Sequence, residues 1–359
     1  MSRRHRAIVR AGATLSVALR PTAVPGPGEL SVATSYAGLC GTDIQMLRGL
    51  RDDPAPVIGH EGVARVVAAG AGVPETLGPG TLVAVNPTHP TDPAFLLGHN
   101  VDGLLQERTL LPATAVTGGM VLPLPETTDV TLAPLLEPLA VVRYALGTLS
   151  AFRPATLLVI GDGIVGHLAA RAARRWLGPR VRVAMVHHTT PGREFSAAGP
   201  YPADLLLTGP SEVTLDAPVA ALLATPRDAT VAALESALTA GAEVVDIVGG
   251  LPPGATTPLL PGVDLTAVRA ANCGGRPDPA RIATAGRVRV FGHRGVANRH
   301  LLDAAAELAR DPARYRDLMT HETDLDGAAR VMRALAGSRE RTVDGRRLIK
   351  LSVRITEDD

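Results

Sequence analysis

Two periodicities divide the chain. Over the first 150 residues, short runs of alternating apolar and polar positions (7–10, 30–33, 62–68, 81–85) are separated by turn residues such as Pro25-Gly26-Pro27-Gly28 and Gly78-Pro79-Gly80. A period of two with Pro and Gly punctuation predicts short strands. Residues 42–50 read as a short helix, 86–99 as a proline-punctuated loop or lobe, and 103–111 as a further strand. At 131–149 the apolar spacing becomes helical, beginning in Leu135-Leu136-Glu137-Pro138-Leu139. Apolar runs at 155–160, 181–186, 204–208, 219–225 and 243–248 then alternate with helical stretches at 164–176 and 229–240. That alternation predicts a parallel sheet with covered faces. From about residue 288 come a strand, a helix at 300–308, mixed structure and a last strand at 347–353.

Length and composition narrow the picture. At 359 residues, two domains are expected. A net charge of +1 gives no electrostatic reason for a nucleic-acid or membrane partner, and 3% aromatic residues leave little for base stacking. Lys350 is the only lysine, so a Walker phosphate loop and a Tyr-Lys reductase pair are both excluded, and Schiff-base chemistry would rest on that one residue. Two cysteines, Cys40 and Cys273, make no disulfide framework and fit a reducing cytoplasm. The basic start Met1-Ser2-Arg3-Arg4-His5-Arg6 is followed by a strand pattern broken by Arg10 and Arg20, so no targeting segment or membrane span is expected.

The run 155–160 ends in Gly161-Asp162-Gly163-Ile164-Val165-Gly166 and opens a helix. Strand, glycine loop and helix start form the context in which backbone amides, those of Ile164 and Val165 among them, bind a dinucleotide pyrophosphate at the positive end of the helix dipole. At the end of the next strand stand His187, His188 and Arg193, with no acid before Glu194. Cations there favour the 2′-phosphate of NADP over the ribose hydroxyls of NAD.

A second constellation is Cys40, His60, Glu61 and Glu137, each flanked by glycine or proline turns that place side chains at strand ends. Thiolate, imidazole and carboxylate are the donors of open zinc sites. Asp43 is expected to accept the second ring N–H of His60 and fix its tautomer.

With these residues in order, the chain resembles the zinc-dependent medium-chain alcohol and polyol dehydrogenases. The marks are Gly38-Leu39-Cys40-Gly41-Thr42-Asp43, Gly59-His60-Glu61-Gly62, Glu137-Pro138-Leu139-Ala140 and the 161–166 loop. Glu137-Pro138-Leu139 resembles the sorbitol and threonine dehydrogenase branch. His99-Asn100-Val101-Asp102-Gly103 with Glu107 resembles the archaeal-type glucose dehydrogenases.

The resemblance implies an α/β protein: a GroES-like, β-rich catalytic domain (1–149 and 288–359) and an inserted Rossmann domain with a doubly wound parallel sheet (150–287). It implies one catalytic zinc held by Cys40, His60 and one or both of Glu61 and Glu137. Thr42 would pass the alcohol proton, Glu107 would line a sugar pocket, and His293 and Asn298 would approach the nicotinamide. Homodimers or homotetramers are the family habit.

The chain departs from the family where it lacks the four-cysteine lobe of a structural zinc and has Gln45 at the end of the proton relay. No role is assigned to 264–279 with Cys273. The leading expectation is an NAD(P)-linked dehydrogenase acting on a secondary alcohol or ketone of a polyol, cyclitol or sugar derivative. The alternatives are a zinc-free quinone or enoyl reductase and a non-catalytic NADPH-binding relative.

Overall fold

The computed structural model describes residues 3–356 apart from 13, 211 and 339. The chain divides into two units: Met1–Glu137 with Ala305–Pro312 and Met319–Asp359, and Pro138–Ala304 with Ala313–Leu318.

The first unit is built on a sheet whose central strands are Leu30–Gly38 and Glu61–Ala69, paired antiparallel. Leu351–Arg354 pairs with the other edge of Leu30–Gly38, so the register sets Gly38 beside both Glu61 and Ser352. Three distant stretches of sequence therefore meet at one sheet end. Leu82–Val85 and Val121–Pro123 extend the sheet beyond Glu61–Ala69, and Thr109–Leu111 pairs with Leu30–Gly38. The expected lobe within 86–99 is less peripheral than its prolines imply. Phe95 and Leu97 lie in the same core as Val57, Ile58, Leu104 and Leu105, all 2% exposed or less.

The second unit carries a seven-stranded sheet in the order Leu205–Leu207, Arg182–Val186, Thr156–Ile160, Val219–Leu223, Ala242–Ile247, Val288–Gly292 and Ala283–Ala285. The first six are parallel. Thr156–Ile160 lies in the middle, and the chain leaves it in opposite directions, which creates the switch point where doubly wound sheets bind ligands. Val288–Gly292, expected in the returning catalytic segment, instead pairs in parallel with Ala242–Ile247 and so completes this sheet. A central apolar strand with an open edge needs a backbone partner, and this one supplies it. The unassigned stretch 264–279 also has a structural role. Asn272, fully buried, donates to the carbonyls of Arg281 and Gly292 and pins this stretch to the end of that strand.

The stretch Val130–Ser150 is apolar and long enough to match a membrane span, an exception to the sequence reading. Two-thirds of its most apolar window is buried inside the fold, as in a core helix.

Candidate metal and dinucleotide sites

In the first unit, Cys40 follows the strand Leu30–Gly38 and precedes the helix Gly41–Leu47, which carries Thr42 and Asp43 in its first turn. His60 sits just before Glu61–Ala69. Its neighbour Gly59 adopts φ +96°, where a side chain would meet Leu105 Cγ at 2.7 Å. Only glycine delivers the chain to His60 on that path. The result is that Cys40, His60 and Glu61 bring ligand atoms within 4.8 Å of one another. Glu137 enters from the first turn of the helix Leu136–Ser150 and acts electrostatically on the same imidazole.

Charge is concentrated here. Burial pushes the Asp43 carboxyl up, opposed by His60 and by the Cys40 N–H. Burial likewise raises Glu137 to about 7, against the pull of His60 and with the push of Glu61. Burial opposes a charged His60, yet the hydrogen bond to Cys40 and the negative charges of Cys40, Asp43 and Glu137 outweigh it and carry the ring to about 10.

Burial and the neighbouring His60 push His99 down to about 4, although its Nδ1 lies 2.7 Å from Asp53. The two rings are 5.1 Å apart.

Asp43 does not do what the sequence suggested. Its Oδ2 accepts from the Cys40 backbone N–H at 2.8 Å, while its Oδ1 and His60 Nδ1 each have no hydrogen-bond partner among the described residues. The helix start claims the carboxylate first, and Asp43 reaches His60 only through charge. Buried Thr42 Oγ1 is also unpartnered. The orphaned Thr42 Oγ1 beside a sulfur, nitrogen and oxygen donor set is what the oxygen ligand of a bound cation would satisfy. The residues present fit zinc. Sequence reasoning missed one participant, Lys350, whose ammonium is fully buried on Glu61 Oε2 and 3.4 Å from the Leu39 carbonyl. Its signal was there: the one lysine of the chain stands in an apolar stretch, just before the strand Leu351–Arg354.

The Glu107 carboxylate accepts the Arg6 backbone N–H at 2.7 Å.

In the second unit, the three loop glycines differ in what they permit. Gly161 has φ +120°, and a side chain there would meet the Ala224 carbonyl at 2.3 Å. At Gly166 a Cβ would fall 1.9 Å from the Gly161 carbonyl, so only glycine lets the helix Ile164–Leu177 pack this closely. Gly163 faces open space, with nothing within 4 Å, and no side chain caps the helix start it precedes. Ile164 and Val165 form the first helical turn.

His187 is turned inward, 2% exposed. Its Nε2 lies 2.8 Å from Ser196 Oγ and its Nδ1 3.2 Å from the Leu207 carbonyl. A ring used to hold the helix Thr190–Ala198 on the sheet cannot meet a 2′-phosphate, which corrects the sequence reading. His188 and Arg193 remain exposed at the start of that helix. His293 is 3% exposed, with Nδ1 3.6 Å from Asp246 and its ring 4.3 Å from Tyr144. Asn298 is half-buried at the start of the helix Asn298–Arg310.

Residues 26–125 match the alcohol dehydrogenase GroES-like domain. Over that segment the chain is similar to zinc-type alcohol and polyol dehydrogenases. It is 34% identical to a glucose 1-dehydrogenase of Thermoproteus tenax over 46% of this chain and 53% of that protein. It is 28% identical to a sorbitol dehydrogenase of Halalkalibacterium halodurans over 42% of this chain and 48% of that protein. The chain thus spans about half the length of the curated relatives it matches. For the medium-chain dehydrogenase fold the likeness extends further. A protein of Sinorhizobium meliloti 1021, described as a zinc-binding dehydrogenase and solved with NADP, aligns over 98% of this chain and 99% of its own at TM-score 0.72 and 21% identity.

Proposed function

We propose that this protein is a zinc-dependent dehydrogenase that moves hydride between NADP and the secondary alcohol or ketone of a polyol, cyclitol or sugar derivative. The observation that carries this reading is the convergence of ligand atoms of Cys40, His60 and Glu61 within 4.8 Å, with Thr42 Oγ1 buried and without a hydrogen-bond partner among the described residues. Bound zinc would polarise a substrate oxygen, and a bound nicotinamide would exchange the hydride.

The chain's own residues supply the remainder. Cys40, His60 and a carboxylate from Glu61 or Glu137 hold the cation. Thr42 Oγ1, buried and without a hydrogen-bond partner among the described residues, takes or gives the alcohol proton, and Gln45 cannot continue that relay as a base, so the proton leaves by water. Gly161, Gly163 and Gly166 present the first helical turn to a pyrophosphate. Glucose and sorbitol dehydrogenases among the relatives support the substrate class.

A panel of polyols, sugars and cyclitols, followed by absorbance of reduced nicotinamide with NAD and with NADP, tests the reading. Turnover of none, by protein carrying stoichiometric zinc, overturns it. His188 and Arg193 at the Thr190–Ala198 helix start support NADP over NAD. Arg193→Ala is therefore expected to raise KM for NADP about tenfold and leave KM for NAD unchanged, as one lost charge-assisted phosphate contact would. Equal changes with both cofactors would place the 2′-phosphate elsewhere.

A further inference from the structure

Lys350 stands alone in a chain whose other basic residues, outside histidine, are all arginine. It is 0% exposed, with its ammonium on Glu61 Oε2 and near the Leu39 carbonyl. The space for it is made by Gly38, where a Cβ would fall 2.7 Å from Lys350 Cε and 3.0 Å from its Nζ, and 2.9 Å from Pro134 Cβ. A planar guanidinium with five donors needs more room and more acceptors than a carboxylate oxygen and a distant carbonyl provide. The position selects a compact point charge.

That charge has a specific partner. Glu61 is both the carboxylate held by Lys350 and one of the three groups gathered as ligands. Asp43, fully buried, and Glu137 add two more acids to the same electrostatic cluster. Several carboxylates gathered out of water require compensating cations, or the fold loses stability. An incoming divalent ion must contest Glu61 with the ammonium, which also repels it.

We propose that Lys350 is an internal counter-cation that stands in for the metal at Glu61. It keeps the metal-free site folded and competes with the divalent ion for one carboxylate, so it acts as a positioning residue through Glu61. No covalent bond changes; only the partner of that carboxylate does. The inference deepens the zinc reading and rests on it.

Full-length wild type, Lys350→Met, Glu61→Gln and the double variant are compared by thermal melting after chelation, with and without Co²⁺, and by absorption titration of the thiolate–cobalt band. Wild type is expected to bind one Co²⁺. Lys350→Met should melt lower without metal, bind Co²⁺ at least about tenfold more tightly and gain more in melting temperature from it. The double variant, with the charge pair removed together, should recover metal-free stability relative to Lys350→Met. If Lys350→Met does not fold without metal, that recovery decides alone: a double variant no more stable than the single one overturns the proposal. A merely structural lysine would lower both melts equally and leave Co²⁺ affinity as in wild type, which also overturns it. Wild type that binds no Co²⁺ overturns the zinc reading, and this proposal with it.

Discussion

Replacing Cys40 by alanine is expected to strip the protein of stoichiometric divalent metal and to slow alcohol turnover about a thousandfold. The thiolate is the soft member of the Cys40, His60 and Glu61 set, and an imidazole with one carboxylate makes a much weaker site. Lewis-acid polarisation of a substrate oxygen supplies several kcal/mol of transition-state stabilisation, and about 4 kcal/mol corresponds to a thousandfold in rate. The substitution keeps the Asp43 bond to the backbone N–H of residue 40 and removes the Cys40 sulfur that faces the Asp43 N–H, so a small loss of stability accompanies it. Metal content and initial rates at saturating cofactor, with melting as a control on folding, check the outcome. A variant that retains its metal and its rate would remove Cys40 from the site.

The second large effect is expected from the glycine loop, where neighbouring positions should fail in opposite ways. Gly166→Ala would place a methyl 1.9 Å from the Gly161 carbonyl, inside any tolerable contact. The helix must move off the sheet, at a cost of roughly 1–3 kcal/mol or more, and the melting temperature should fall by several degrees. At Gly163 an added Cβ meets nothing within 4 Å, and the residue starts from φ −87°, which valine adopts without strain. Gly163→Val should melt like wild type yet bind the dinucleotide at least about tenfold more weakly, since its side chain fills the space open to the pyrophosphate. Calorimetric titration with NADPH and a thermal melt separate the two behaviours. Undiminished binding by Gly163→Val would move the pyrophosphate off this loop.

Much of the fold was legible because its causes are local. The change from alternating to helical spacing near residue 131, and the apolar runs that follow, mark the β-rich region and the parallel strands directly. Val288–Gly292 was misplaced because an apolar run does not say which sheet it will join; that depends on which edge is left open. The cluster of Cys40, His60 and Glu61 was legible as residue types beside turns. His187 and Asp43 were not, because each had two uses for its polar atoms. His187 went to Ser196 and Leu207, and Asp43 to the backbone of Cys40, choices fixed by side-chain direction and burial. Lys350 was visible as the only lysine, but its partner was fixed by a strand pairing that joins residues 38 and 352.

That pairing has a consequence for biosynthesis. As the chain leaves the ribosome, Cys40, His60, Glu61 and Glu137 are all available long before the strand Leu351–Arg354 and the lysine in front of it. Throughout most of translation the nascent site holds its acids without their ammonium. A divalent ion met during that interval would face no competitor for Glu61. Metal capture would then be easiest before the last strand docks, and the docking of that strand would convert an eager chelator into a finished, more reluctant one.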